Sequence, residues 1–306
     1  PIADFKYNLD MLGYNSFAES IDQFKDFDTE TVISVVEQVA KFNEQEMVDS
    51  NKKADREGIV YIKDGKEGPE VKTPDYFKPL YQSVIESGYI GASNPTEYGG
   101  GGAPFAMGIL NGEIGIASNM AFYMGPGLSQ GAIKAILKKG NKELKDKYLP
   151  KMISGEWMGT MCLTEPQCGT DLGLIRSTAT PEEDYYKLNG QKIWISFGEH
   201  DLTENIIHLV LARLPDAPEG IKGISLFLVP KRLDDNSRNP IFCGGLEHKL
   251  GIISSPTCVM NMDDAKGWMI GEPNKGMEAM FLMMNDARLK VGLQGVAMSE
   301  IAYQNA

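Results

Sequence analysis

The apolar pattern of this chain changes period twice, and the order of those changes limits the folds open to it. Residues 1–155 follow helical spacing, and residues 156–275 run as short alternating or wholly apolar stretches of strand type. Residues 276–306, "GMEAMFLMMNDARLKVGLQGVAMSEIAYQNA", return to helical spacing. Helices, then strands, then a helix is not the strand–helix alternation of a doubly wound parallel sheet. The order predicts an α+β multidomain chain. It has an N-terminal helical domain with an extension over 1–155 and a middle antiparallel β-sandwich or barrel over 156–275. A helix over 276–306 follows and needs a partner face.

Local signals fill in these regions. Asp28 is a candidate N-cap, with Glu30 in the first turn and Val32, Val35, Val36 and Val39 at helical spacing. Asp75 is a second candidate cap, for a helix with Tyr76, Leu80 and Val84 inward that stops at Gly88. "LSQGAIKAILKKGN" reads as a helix ending at Gly140, followed by a charged one in "NKELKDKYLPKM". Residues 1–27 are apolar enough to pack, but spacing alone does not place them. In the middle region, the Asn-Gly of "YYKLNGQKIWIS" predicts a hairpin turn. "IIHLVLAR", "GISLFLVP" and "TCVMNMDD" read as strands. The last helical run has no stop signal before Ala306, so the natural protein is expected to continue.

Composition narrows the function. A net charge of -12 argues against a nucleic-acid partner, since phosphate binding needs concentrated Lys and Arg. The cysteines Cys162, Cys168, Cys243 and Cys258 form no Cys-x-x-Cys, and the histidines are only His200, His208 and His248, so no metal site is expected. Reduced, buried thiols in a cytoplasmic protein are the expectation. No apolar run approaches the ~20 residues of a membrane span. The opening "PIADFKYNLD" carries no basic-then-apolar signal, and peripheral membrane contact stays open. "EYGGGGAP" is neither a dinucleotide fingerprint nor a P-loop; Gly99–Gly102 read as a flexible connection before a helix.

The stretch "MGTMCLTEPQCGTDLG", residues 158–173, carries the most chemistry. Pro166 cannot donate to a strand ladder, so the strand stops or leaves the sheet there. That frees backbone groups near Leu163 and Thr164, and the Thr164 hydroxyl, for a ligand. Gly169 allows close approach or a positive φ, and Thr170 and Asp171 suit a local turn or cap. The result is a polar-edged cleft for a planar heteroaromatic; ordinary turn chemistry in a bulged loop explains the same residues. "KIWISFGEH" adds Trp194, with Ser196 on the same strand face by period two. An indole with a hydroxyl beside it suits a stacked ring, and a packed core Trp is the alternative.

Taken together, these motifs resemble the acyl-CoA dehydrogenase family. The likeness rests on "CLTEPQCGTD", "KIWISFGEHDLTENIIHLVLAR", "NPTEYGGGGAP", "GIKGISLFLVPK", "EHKLGIISSPTCVMNMDDA" and "NKGMEAMFLMMNDARLKVGLQGVA", in family order from about residue 75 to 306. The N-terminal segment with "YNLDMLGYNSF" resembles the enlarged subfamily. The resemblance implies that 276–306 begins a C-terminal helical bundle and that FAD lies between the β domain and that bundle. It implies that Leu163 and Thr164 bond the flavin pyrimidine edge and that Met161 packs nearby. Trp194 would lie against the isoalloxazine and Ser196 would approach flavin N5. Thr170 and Arg288 would contact the CoA part of the substrate. The implied reaction removes the α proton of an acyl-CoA thioester by a carboxylate and the β hydrogen as hydride, giving a trans-2-enoyl-CoA. Electrons would pass to an electron-transfer flavoprotein, and the full-length protein would form a homo-oligomer.

The family's glutamate base has no match here. Ala287 stands where a few members carry it, just before Arg288; Asp286 is one residue out, about 100° around a helix. Glu165 reads as part of the signature loop rather than as the base. The catalytic base is therefore expected beyond Ala306, and residues 1–306 alone are expected to bind FAD poorly. An acyl-CoA oxidase of the same fold and a non-catalytic interaction module are the rival readings.

Overall fold

A computed structural model describes residues Pro1–Ala306. The chain opens with α1 (Ile2–Met11), α2 (Tyr14–Glu19), α3 (Thr29–Glu46) and α4 (Val48–Glu57). Asp28 caps α3, its carboxylate accepting from the Thr31 N–H at 2.8 Å. Val32, Val36 and Val39 turn inward and share a core with Phe5, Leu9, Tyr14 and Ala18. These four residues of the first 27 cover α3, while Tyr7, Met11, Leu12 and Phe17 stay exposed.

A ribbon of β1 (Val60–Ile62) and β2 (Glu70–Lys72) leads to α5 (Phe77–Glu86). This helix buries Leu80 and Val84, and Gly88 follows it at φ 72°. Asp75 is not its cap. Tyr76 takes the N-cap position, and the Phe77 N–H donates to the Pro74 carbonyl at 2.8 Å, so backbone already closes that turn.

Gly99–Gly102 are not a flexible connection either. Gly100 N–H donates to Pro95 O at 3.0 Å and Gly102 N–H to Asn94 O at 2.9 Å. A Cβ on Gly100 would stand 2.2 Å from Asn94 O. Glycine is required there for close backbone approach. This knot leads into α6 (Phe105–Lys139), which kinks at Asn119 (φ -155°, ψ 90°). Asn119 Oδ1 accepts from Phe122 N at 3.0 Å and caps the second half from within. Then comes α7 (Lys142–Ser154), capped by Asn141.

The strands are β3 (Trp157–Cys162), β4 (Thr178–Pro181), β5 (Tyr186–Ser196), β6 (Asn205–Arg213), β7 (Ile224–Pro230), β8 (Ile241–Leu246) and β9 (Thr257–Ile270). Pairing runs β6–β7–β9–β5–β4, and β4 returns to β6 through Thr178 and Arg213, so the sheet closes on itself. β8 pairs with β9. The barrel is not purely antiparallel: β3 runs parallel to β6. It enters from α7 rather than from a hairpin, and no tight turn forces it to reverse.

The Asn-Gly pair does not make a hairpin. β5 runs straight through it, with a bulge between Leu188 and Gly190. Gly190 has φ 140°, and a Cβ there would lie 2.4 Å from Ser177 Oγ. Asn189 is held by Asp264, donating to Oδ1 at 2.8 Å and accepting from its N–H at 2.9 Å. Close approach of the preceding segment and a bonded cross-strand partner keep the chain extended where local preference favours a turn.

β6 is buried on both faces. Val210 and Ala212 point into the barrel, while Ile207, Leu209 and Leu211 point to a core shared with α6 and α7. All four cysteines are free and buried. The last element, α8 (Gly276–Asn305), lies along α6 and packs Ala279, Met280 and Met283 into that second core. No helix is long and apolar enough to cross a membrane.

Candidate functional site

β3 ends at Cys162, and the chain then folds into a loop pinned from below. Glu165 and Cys168 exchange two backbone bonds, at 2.8 and 3.0 Å, around Pro166. The Glu165 side chain, 3% exposed, turns inward. It accepts from Lys192 Nζ at 2.7 Å, Arg176 N at 2.7 Å, Ser177 N at 3.1 Å and Gln167 Nε2 at 2.6 Å. Burial alone would raise its carboxyl, but the Lys192 ammonium and the hydrogen bonds outweigh it and hold the group at about 2. Glu165 is thus structural, as its place in the loop suggests.

Lys192 is wholly buried in β5 and also donates to Leu163 O at 3.3 Å. Beside it, Ile193 N–H donates to Thr164 O at 2.9 Å. Of the backbone groups expected to be free for a ligand, the two carbonyls thus already accept from β5. The N–H edge and the Thr164 hydroxyl are what this corner offers. Gly169 works by close approach, not by a positive φ: a Cβ there would lie 3.2 Å from Thr164 Cγ2. Asp171 caps the turn over Leu172–Leu174, accepting from Gly173 N at 3.1 Å, and Thr170 is exposed beside it.

The same two bonds that fix Leu163 and Thr164 fix the start of the Trp194 segment. Here the strand bulges between Lys192 and Ile195, and Trp194 takes φ 61°. Simple period two therefore does not describe the run. Ile195 is still buried while Trp194 and Ser196 are not, so indole and hydroxyl stay on the open side. Trp194 is 55% exposed, which rules out the packed-core alternative. A non-glycine residue in the left-handed region carries backbone strain, held here by β9 and the Thr164 bond.

Two residues before Leu163, half-buried Met161 lines a cavity of about 320 Å³ between α6 and α8. Its walls include Met124, Leu128, Met283, Ala287 and Val291. Arg288 is exposed on α8 outside this lining, bonded to Asn285 Oδ1 at 2.7 Å. Asp286 does line it, buried and paired with Lys290 at 2.6 Å and Lys134 at 3.4 Å. The expected residues thus fall into two groups. Leu163, Thr164, Trp194 and Ser196 share one corner, and Met161, two residues before it in the chain, lines the cavity, while Thr170 and Arg288 lie exposed outside that lining. The Lys192–Glu165 pair and the Asp286–Lys134–Lys290 cluster escaped sequence reading. No sequence signal gives the first: by period two Lys192 shares the face of Trp194, and only the bulge between Lys192 and Ile195 turns it inward.

Residues 29–156 match the family model of the acyl-CoA dehydrogenase N-terminal domain, and residues 160–265 that of the middle domain. The chain is 41% identical to 3-methylmercaptopropionyl-CoA dehydrogenase of Ruegeria pomeroyi, over 100% of this chain and 52% of that protein. It superposes on a crystal structure of acyl-CoA dehydrogenase from Geobacillus kaustophilus with a TM-score of 0.75 and 25% identity, over 91% of this chain and 68% of that one. An acyl-CoA dehydrogenase complexed with FAD from Bacillus anthracis gives a TM-score of 0.72 and 26% identity, over 89% of this chain and 42% of that one. The chain spans about half the length of the curated relatives it matches. A helical layer, a closed β domain and a signature loop locked to the Trp194 strand all agree with these matches, and the chain belongs to the acyl-CoA dehydrogenase family.

Proposed function

We propose that the protein binds FAD at the Thr164–Trp194 corner and dehydrogenates an acyl-CoA thioester whose acyl chain enters the cavity between α6 and α8. The single observation that carries this reading is spatial. An exposed indole follows directly on the bond that ties its strand to the Thr164 loop edge, and Met161, two residues before Leu163 on that edge, lines an apolar cavity. That combination suits a planar cofactor next to a flexible apolar tail. The resemblance to family members that bind FAD supports the same assignment.

These residues fit a flavin. Trp194 offers a flat apolar face, the Leu163 and Thr164 N–H edge and the Thr164 hydroxyl offer donors, and Ser196 offers a second hydroxyl. Bound there, FAD supplies the acceptor for the hydride that leaves the β carbon. The chain's own part is to bind, orient and exclude water. Lys192 and Glu165 hold the donor edge rigid, and Met161, Met283 and Val291 provide dry walls that strengthen local electrostatics. Thr170 and Arg288, both exposed, are assigned to the CoA portion outside the cavity. No base is assigned within Pro1–Ala306, because Glu165 and Asp286 are already held by ammonium groups. An electron-transfer flavoprotein is the proposed acceptor.

Anaerobic addition of acyl-CoA to the full-length protein loaded with FAD tests this reading. The flavin absorbance is expected to bleach and to recover faster with an electron-transfer flavoprotein than with oxygen. Unchanged absorbance while the thioester is bound would refute the dehydrogenase reading. Rapid peroxide release under air would instead assign an oxidase.

A further inference from the structure

The cavity between α6 and α8 has two chemically different ends. Met161 and Met283 belong to the end that meets the β domain, where Gly131 backs onto Met283. At the other end a Cβ on Gly112 would lie 3.4 Å from Leu293 Cδ2 and 3.6 Å from the Tyr123 hydroxyl. Met283 and Leu293 are ten positions apart on α8, roughly 15 Å along a helix axis. Pairing along the two helices agrees: Lys134 meets Asp286, Lys290 meets Gly127 O, and Gln294 meets Met124.

Beside Gly112, at the far end, stands Asn111. It lines the cavity, is 2% exposed, and neither its Nδ2 nor its Oδ1 has a partner. Several other polar side chains on the wall are engaged: Asn94 donates to Gln130, Gln130 donates to Ile90 O, and Asp286 holds two lysines. The hydroxyl of Tyr89, also on the wall, is likewise unpartnered. Burial pushes the Tyr123 hydroxyl up to about 12, so it stays a protonated donor. A buried amide with neither group bonded is costly, and a cavity wall that leaves one awaits a polar ligand group. An all-hydrocarbon tail would leave that cost in place.

On the reading that this cavity takes the acyl chain, we infer that Asn111 selects acyl groups bearing an uncharged oxygen, as hydroxyl, ether or keto, toward the tail. Asparagine donates and accepts, which matches a hydroxyl or carbonyl oxygen better than a thioether sulfur, a weak acceptor. Asn111 is a specificity-determining residue here. It lies far from the Met161 end and touches no reacting atom.

Calorimetric titration of the FAD-loaded, full-length protein tests this, using CoA thioesters matched in length, with and without one tail oxygen, at several lengths. At the length that reaches Asn111, the oxygen-bearing thioester is expected to bind about tenfold more tightly, the scale of one buried hydrogen bond. In Asn111→Leu the order reverses, while Gly112→Ala weakens the longest tails of both kinds alike. Equal binding of the matched pair at every length overturns the inference, and so does Asn111→Leu tightening both members equally. Preference for a carboxylate tail over both would assign selection to Lys134 and also overturns it. The comparison on the unaltered protein stands even if Asn111→Leu does not fold. Binding of neither series would remove the acyl-chain reading itself. Firm binding of hydrocarbon tails without an oxygen preference would remove only the role of Asn111.

Discussion

Lys192→Met is expected to cost about 3–5 kcal/mol of folding stability, the usual result of breaking a buried ion pair from one side. Lys192 is wholly buried and Glu165 is 3% exposed, so the variant strands a carboxylate in the interior. It also removes the bond to Leu163 O, so that of the three bonds from the loop to β5 only the one from Ile193 N–H to Thr164 O remains. Denaturant midpoints measure the stability, and FAD affinity reports the loosened donor edge. A loss under about 1 kcal/mol would show the pair to be idle. Lys192→Met with Glu165→Gln together is expected to recover much of the loss, because no unpaired charge remains.

The pair also fixes an acid dependence. Glu165 sits at about 2 against an ordinary value of 4.5, so its protonated form is disfavoured in the folded state. Its contribution is complete above the unfolded value and falls away as pH drops from 4.5 through about 2. Melting temperatures over that window should fall less steeply in the double variant. Parallel slopes would contradict the assignment.

Gly100→Ala is the second large effect, a loss of about 2–3 kcal/mol from forced overpacking. The new methyl would stand 2.2 Å from Asn94 O, a backbone atom that cannot swing aside and already accepts from Gly102 N. Asn94 also donates to Gln130, and both line the cavity, so displacement there reaches the cavity wall. Gly295→Ala is the control. That glycine lies in α8 with nothing within 4 Å of a built Cβ, and the exchange should gain up to about 1 kcal/mol of helix preference. Equal effects at the two positions would refute the packing argument.

Legibility followed how local each cause is. The α3 boundary was readable because Asp28, its cap, sits next to the helix it caps. β6 was readable because burial on both faces leaves an apolar run interrupted only by His208. The Asn189-Gly190 step misleads because its conformation is set by Ser177 and Asp264, far off in sequence. Asp75 misleads because a proline carbonyl one residue earlier closes the turn first. The site motifs could be read as residue types. Their geometry could not, since the carbonyls of Leu163 and Thr164 are claimed by a strand about thirty positions onward. Asn111 has no signature at all: an unpartnered amide is visible only once its surroundings are in place.

The corner proposed to hold the flavin has a direct optical reporter, because Trp194 is 55% exposed and flavin quenches a stacked indole. The full-length protein should be titrated with FAD, to concentrations that saturate even a weak site, while tryptophan and flavin fluorescence are followed together. Saturable quenching of both is expected, with FAD affinity reduced about tenfold in Trp194→Ala, on the scale of one lost aromatic contact. Saturable FAD binding of equal strength in Trp194→Ala and in the unaltered protein would place the cofactor elsewhere and contradict the assignment.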